Sequence, residues 1–283
     1  LTTASAPTTF TLSGFGDEVD PSPEVQAAVL LAVGARHIEV RSAWGTNISE
    51  LSAGQLAGLK EILAAKGLAV SAIASPIGKV DVSLPVEHEE QRLRRIIDAA
   101  NVLGTKYIRI FSFYRAEGRS QEAIRGDVMT RMAALTALAA EAGVVLLHEN
   151  EKGIYGDTPE RVLDIMKTVD SPSLRIAWDN ANFVQVGVRP YTDGYAMLRP
   201  YLEYFQVKDA LAASGEVVPA GQGDGELDET IAALKADGFN GFASLEPHLA
   251  SAHELGGFSG PAAFGAAARA FAGLAAKHRI ELI

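Results

Sequence analysis

The chain has 283 residues, 48% of them hydrophobic, with a formal net charge of −10 and no cysteine. That length supports a large core, and the acidic balance argues against a nucleic-acid partner, because phosphate backbones would be repelled. Without cysteine, disulfides and thiolate chemistry are excluded, and no apolar run approaches the roughly 20 residues needed to span a bilayer.

The first nine residues, LTTASAPTT, lack the basic start and apolar stretch of a secretory leader. They are expected to form a loosely packed or disordered extension of one domain covering residues 1–283, and a cytoplasmic location is expected. Short apolar, β-rich runs then recur at Phe10–Gly14, His37–Val40, Ala69–Ala74, Tyr107–Phe113, Val144–His148, Leu174–Trp178, Tyr204–Val207 and Gly241–Leu245. Between them lie stretches with helical spacing, such as Leu56, Leu59, Ile62, Leu63 and Val128, Met132, Leu135, Leu138. Acids or hydroxyls open helices at Asp20–Glu24, Asp157–Glu160 and Asp228–Thr230. Gly34, Gly67, Gly104, Gly143 and Gly238 mark helix ends just before the next strand. Eight βα units of about 35 residues each describe a single α/β domain, a (β/α)8 TIM barrel. The rival, an open doubly wound sheet, would place a glycine-rich phosphate turn after the first strand. There SGFGDEVDP offers acids instead.

In a barrel the active site lies at the C-terminal strand ends. The second run ends in Glu39 and Arg41, and the fourth carries Arg109. The fifth ends in His148-Glu149-Asn150-Glu151, the sixth in Asp179, the seventh in Gln206-Val207-Lys208-Asp209, and the eighth in Glu246-Pro247-His248. Any one of these acids could simply cap a helix. Glu149, Asp179 and Glu246 occupy the same place in three separate units, which points to a shared divalent metal, since like charges that close need a cation. Carboxylates with one neutral ligand suit Mn²⁺, Mg²⁺ or Co²⁺ better than a closed zinc site. Alternation puts residues 147, 149 and 151 on one face; Glu149, at the strand tip, is read as the ligand and Glu151 as a loop group. His148 points the other way and reads as a core histidine ahead of a catalytic one.

LLHENEKGIYGDTPE, WDNANFVQVG, FQVKDA, PAGQGDGELD and SLEPHL resemble the sugar phosphate isomerase/epimerase group of the xylose isomerase-like TIM barrels. SGFGDEVDP, IEVRSAWGTNI, SPIGKVD and GTKYIRIFSFY fit as well, so the resemblance runs from about Phe10 to His248. It implies one divalent metal held from strands five to eight by Glu149, Asp179, position 206 and Glu246, with the two glutamates moving protons on opposite faces of a substrate. Position 206 departs from the family pattern: it is Gln206 where HVKDA or HIKDA would be usual. A carbonyl oxygen ligates softer metals poorly, which tilts the site towards Mn²⁺ or Mg²⁺.

A metal that chelates two adjacent oxygens of a keto sugar stabilises the enediolate formed when the neighbouring proton leaves. Glu149 and Glu246 are the proton-moving pair in this reading. The expected activity is a metal-dependent isomerase or epimerase acting on a ketose, keto sugar or keto-inositol. The alternative is a lyase that cleaves 3-keto O- or C-glycosides by elimination, with or without a second subunit. Substrate contacts are expected from Glu39, Arg41, Trp44, Arg109, Lys208 and His248. Arg109 has the alternative of pairing with buried acids, Lys208 of a salt bridge to Asp209 or Glu246, and Trp44 of local packing. GQGDG, residues 221–225, reads as a turn shaping the pocket, because no neighbouring basic residue supports a phosphate site. The expected partner is a small carbohydrate, with no nucleic acid and no membrane; a homo-oligomer or second subunit stays open. A nuclease resembling endonuclease IV would need more than this chain's 6 histidines and a basic face.

Overall fold

The computed structural model describes residues 8–253 and 256–283. Eight strands form the wall: β1 Thr8–Gly14, β2 His37–Val40, β3 Ala69–Ala74, β4 Tyr107–Ile110, β5 Val145–Glu149, β6 Leu174–Asp179, β7 Leu202–Val207 and β8 Phe242–Leu245. From β2 through β8 each strand pairs in parallel with the next, and β8 pairs with β1. A parallel bridge from Phe15 to Glu39 closes the seam between β1 and β2. The fold is thus the closed (β/α)8 barrel. A ninth strand, β9 Ile280–Leu282, lies along the start of β1. Thr8 and Thr9 pair there with Ile280 and Glu281, so the extension expected over residues 1–9 gives up its last two residues to the sheet; residues 1–7 lie outside those described.

The outer layer is α1 Pro23–Ala32, α2 Ala53–Lys66, α3 Val86–Leu103, α4 Gln121–Ala142, α5 Pro159–Val169, α6 Asn180–Val184, α7 Leu227–Ala236 and α8 Pro261–Lys277. Local signals explain their limits. Ser52 Oγ accepts from the Gln55 backbone N–H at 3.2 Å while the Gln55 side chain accepts from the Ser52 N–H at 3.0 Å, a reciprocal cap for α2. Gly67, Gly104 and Gly143 close α2, α3 and α4 in the left-handed region, where a side chain would be strained. Two elements differ from the expectation. β4 stops at Ile110, because Phe111 and Phe113 donate their N–H groups to the carbonyls of Ile77 and Gly78 in the loop after β3. Their apolarity reports burial, not strand pairing. After β6 the crossover is broken into the five-residue α6 and a turn of π-helix, Pro190–Tyr195.

Strand alternation sorts the side chains into two sets. Phe205, Val207, Leu146 and Ile176 face the helices in the main core. Leu147, Ala177 and Tyr204 face inward, with Tyr107, Val145 and Phe242 packed below them. Following the inward set upward by steps of two gives Tyr107 to Arg109, Leu147 to Glu149, Ala177 to Asp179, Tyr204 to Gln206 to Lys208, and Phe242 to Ser244 to Glu246. The interior is therefore apolar at its base and charged at its C-terminal mouth. In between, Ser13 Oγ meets Ser71 Oγ at 2.6 Å, Ser71 Oγ meets the Tyr204 hydroxyl at 2.9 Å, and that hydroxyl donates to Glu39 at 2.9 Å. This polar chain satisfies groups that would be costly to bury alone.

Candidate active site

Glu149, Asp179 and Glu246 each present an oxygen such that all three lie within 4.8 Å of one another, and all three side chains are buried. Glu149 ends β5, Asp179 ends β6, and Glu246 follows β8. Asp179 is also the cap of α6, accepting from the Asn182 N–H at 2.9 Å. Asn182, one turn into that helix, donates its amide to Glu149 Oε1 at 2.9 Å. The cluster is thus braced by short-range hydrogen bonds as well as by the wall.

Three cations hold these acids. Arg109 Nη1 donates to Glu149 Oε2 at 2.6 Å, Arg41 Nη1 to Glu246 Oε1 at 3.0 Å, and Lys208 Nζ lies 3.0 Å from Glu246 Oε2 and 2.9 Å from Asp179 Oδ2. Arg41 also binds Asp17 at 2.8 Å and stands 3.6 Å from Glu18. Six carboxylates, those of Asp17, Glu18, Glu39, Glu149, Asp179 and Glu246, therefore face Arg41, Arg109 and Lys208, with His248 a further cation when protonated. The excess is negative. Burial, with Glu149 and Glu246 nearby, pushes Asp179 up to about 8 despite Lys208. Burial likewise lifts Glu39 to about 7 against the pull of Arg109. Burial also acts on Glu246, but Lys208, His248, Arg41 and Arg109 overcome it and hold that carboxyl well below the usual range.

Gln206 lies beside the cluster. It sits in register beside Asp179 on the inward face, fully buried. Its Nε2 donates to Glu39 Oε1 at 3.4 Å, while its Oε1 has no hydrogen-bond partner among the described residues. A buried orphan carbonyl oxygen beside three carboxylates, in a site with surplus negative charge, fits a hard divalent cation. Glu39, expected at the substrate, is fully buried, bonded to both Gln206 and Tyr204, and is not among the residues that line the cavity.

Above the acids opens a cavity of about 320 Å³ whose lining includes Tyr114, Glu151, Asn182, Gln185, Lys208 and His248. This volume is at the small end of the range for ligand pockets.

Residues 27–272 match the profile of the xylose isomerase-like TIM barrel family. The chain belongs to that family. It is 26% identical over 186 residues to a 3-dehydroshikimate dehydratase of Bacillus anthracis, an alignment covering 59% of this chain and 65% of that protein. The chain thus spans about two thirds of the length of that curated relative. Among solved structures, a D-tagatose 3-epimerase-like protein superposes with a TM-score of 0.77 at 17% identity, over 95% of this chain and 98% of that one. A xylose isomerase-like TIM barrel protein of Mycobacterium smegmatis, in complex with magnesium, superposes with a TM-score of 0.67 at 19% identity, over 97% and 98%. The relatives named are enzymes or enzyme-like barrels, and among the described residues no helix is long and apolar enough to cross a membrane.

The remaining residues of this xylose isomerase-like barrel place as follows. Arg41 and Arg109 stand at the mouth, but their guanidinium groups are committed to carboxylates and lie over the Phe15 and Phe111 rings. Trp44 is 39% exposed on a short hairpin, Ser42–Asn47. Its ring edge reaches over Gly58 of α2, and it is outside the cavity lining. His248 lines the cavity and sits on Glu18 through Nδ1, with Nε2 3.6 Å from Glu246. Glu18, in the turn after β1, was not singled out in the sequence; its lone signal was an acid inside SGFGDEVDP. Asn182 was also missed, although it lies one helical turn beyond Asp179. His148 faces away from the acids, with Nε2 2.9 Å from Ser112 Oγ. Burial pulls its pKa down to about 3, so it is a neutral core histidine. Glu151 is a loop residue paired with Lys79 at 3.2 Å.

The GQGDG turn has an internal occupant. The backbone N–H groups of Gly221, Gly223 and Gly225, with that of Ala210, all donate to the Asp209 carboxylate at 2.9 Å. A Cβ on Gly223 would stand 2.5 Å from Asp209 Oδ1, so glycine is required for the approach. The place where barrels often seat a phosphate is filled by the protein's own anion.

Proposed function

We propose that the chain is a divalent-metal-dependent enzyme that removes a proton from the carbon beside a carbonyl of a small, unphosphorylated ketose or keto sugar. The main outcome is isomerisation or epimerisation. The observation that carries this reading is the convergence of Glu149, Asp179 and Glu246 within 4.8 Å at the mouth of a family barrel. Gln206 completes the ligand set through Oε1, and Mn²⁺ or Mg²⁺ suits four oxygen donors. When bound, such an ion supplies Lewis acidity to a carbonyl oxygen and so acidifies the adjacent C–H.

The chain's own residues divide the remaining work. Glu149 and Glu246, which come from separate strands, are the pair that take up and return the proton through carboxylate oxygens. Arg109 and Asn182 fix the Glu149 carboxylate, and Arg41 fixes that of Glu246. Asn182, Gln185, Tyr114 and His248 offer donors and acceptors to substrate hydroxyls. The filled glycine turn supports an unphosphorylated substrate. The same proton removal, followed by loss of a group on the next carbon, would make the enzyme a lyase. The likeness to a dehydratase favours this as the second reading.

The test is incubation of the metal-loaded chain in deuterated water with a panel of ketoses and keto sugars. Deuterium at the carbon beside the carbonyl of recovered sugar supports the first reading. Appearance of an unsaturated ketone, with water or an aglycone released, supports the second. Neither signal across neutral and acidic keto-polyols would sink both.

A further inference from the structure

Lys208 lies two residues beyond Gln206, on the inward side of β7, with its side chain 4% exposed. Its ammonium touches two of the three clustered carboxylates, at 2.9 Å from Asp179 Oδ2 and 3.0 Å from Glu246 Oε2. Glu149 has Arg109, and Glu246 has Arg41 as well. Asp179 has no cation but Lys208 among the described residues. Its Oδ2 receives no aligned hydrogen bond there, so the contact is an ion pair made through the oxygen that does not cap α6.

We infer that Lys208 is a tethered counter-ion that competes with the divalent metal for Asp179 and Glu246. This rests on the metal-site reading above and adds a direction to it. Two effects act together. The ammonium and the metal draw on the same carboxylate lone pairs. They also repel each other across a few ångströms, in a buried place where salt and water screen poorly. A lysine that merely buttressed the pocket would do neither: removing it would leave metal affinity unchanged or weaken it. The pairing also offsets the cost of burying Asp179, since a buried carboxylate with no cation is strongly destabilising.

The experiment is calorimetric titration of Mn²⁺ into the metal-stripped chain, with melting curves recorded with and without the ion. Lys208→Met is expected to bind Mn²⁺ about tenfold or more tightly than wild type, and to melt lower when metal-free. Lys208→Arg, which keeps the charge, is expected to stay near the wild-type affinity. Equal or weaker binding by Lys208→Met, with wild type binding normally, overturns this inference and leaves the metal site standing. No Mn²⁺ uptake by either protein overturns both. Should Lys208→Met fail to fold, Lys208→Gln, whose amide still donates to one carboxylate, is read by the same affinities in the same way.

Discussion

Arg109 Nη1 lies 2.6 Å from Glu149 Oε2, and the two side chains are 5% and 1% exposed. Both charges were carried into the barrel by the inward alternation of β4 and β5. Breaking such a pair strands a buried charge, which costs more than the pair's own net worth. Arg109→Met is therefore expected to lose about 3–5 kcal/mol of stability in urea unfolding of the metal-free chain. Saturating Mn²⁺ should recover part of that loss, because the ion supplies positive charge to the same carboxylate.

The ligand set makes a second prediction. Glu149→Gln and Asp179→Asn should each weaken Mn²⁺ binding by at least the roughly 10–100-fold that even outer partners of a metal site command, read by elemental analysis after dialysis. Metal content equal to wild type in Glu149→Gln would remove Glu149 from the set. Gln206→His should shift preference towards Co²⁺ or Zn²⁺ over Mg²⁺, since imidazole is the softer donor.

His148 gives a pH signature. Its folded pKa is near 3 and its ordinary value 6.5, so the unfolded chain binds the proton first. Stability from this group is complete above pH 6.5 and falls as pH drops below it, by up to about 1.4 kcal/mol per unit. The ring should show no protonation shift between pH 8 and 5 by NMR. His148→Gln should flatten that part of the stability profile.

Asp209 anchors the loop after β7. Asp209→Ala would leave four backbone N–H groups without their acceptor, at a cost of at least about 2 kcal/mol. Hydrogen exchange should become fast at Gly221, Gly223 and Gly225 while β7 itself stays protected.

The barrel was legible because its signals are local: strand length, helix caps and closing glycines are each set by a few adjacent residues. Glu149, Asp179 and Glu246 were legible for the same reason, being charges at the ends of apolar runs. What the sequence did not disclose was which charge meets which. Lys208 had Asp209 and Glu246 as candidate partners; it takes Glu246 and adds Asp179, while Asp209 turns to the glycines. Glu18 reaches His248 only because closure of the ring sets β1 beside β8, a relation between residues 230 positions apart. Glu39 points inward as read, but its burial under bonds to Tyr204 and Gln206 was not legible, since alternation gives direction and not depth. Trp44 carried no such constraint.

The two-residue step along each inner wall also governs how such a molecule tolerates change. In β7 the inward positions are Tyr204 and Gln206, continued by Lys208 just past the strand end, and the outward ones are Phe205 and Val207. A substitution at an inward position alters the chemistry and leaves the helix-facing core untouched. A single insertion or deletion within the strand would exchange the two sets, turning phenylalanine and valine into the mouth and driving a lysine into the packed layer. Descent with new activities is therefore open to replacement along the strands and to length changes in the loops, and closed to frame slips between them.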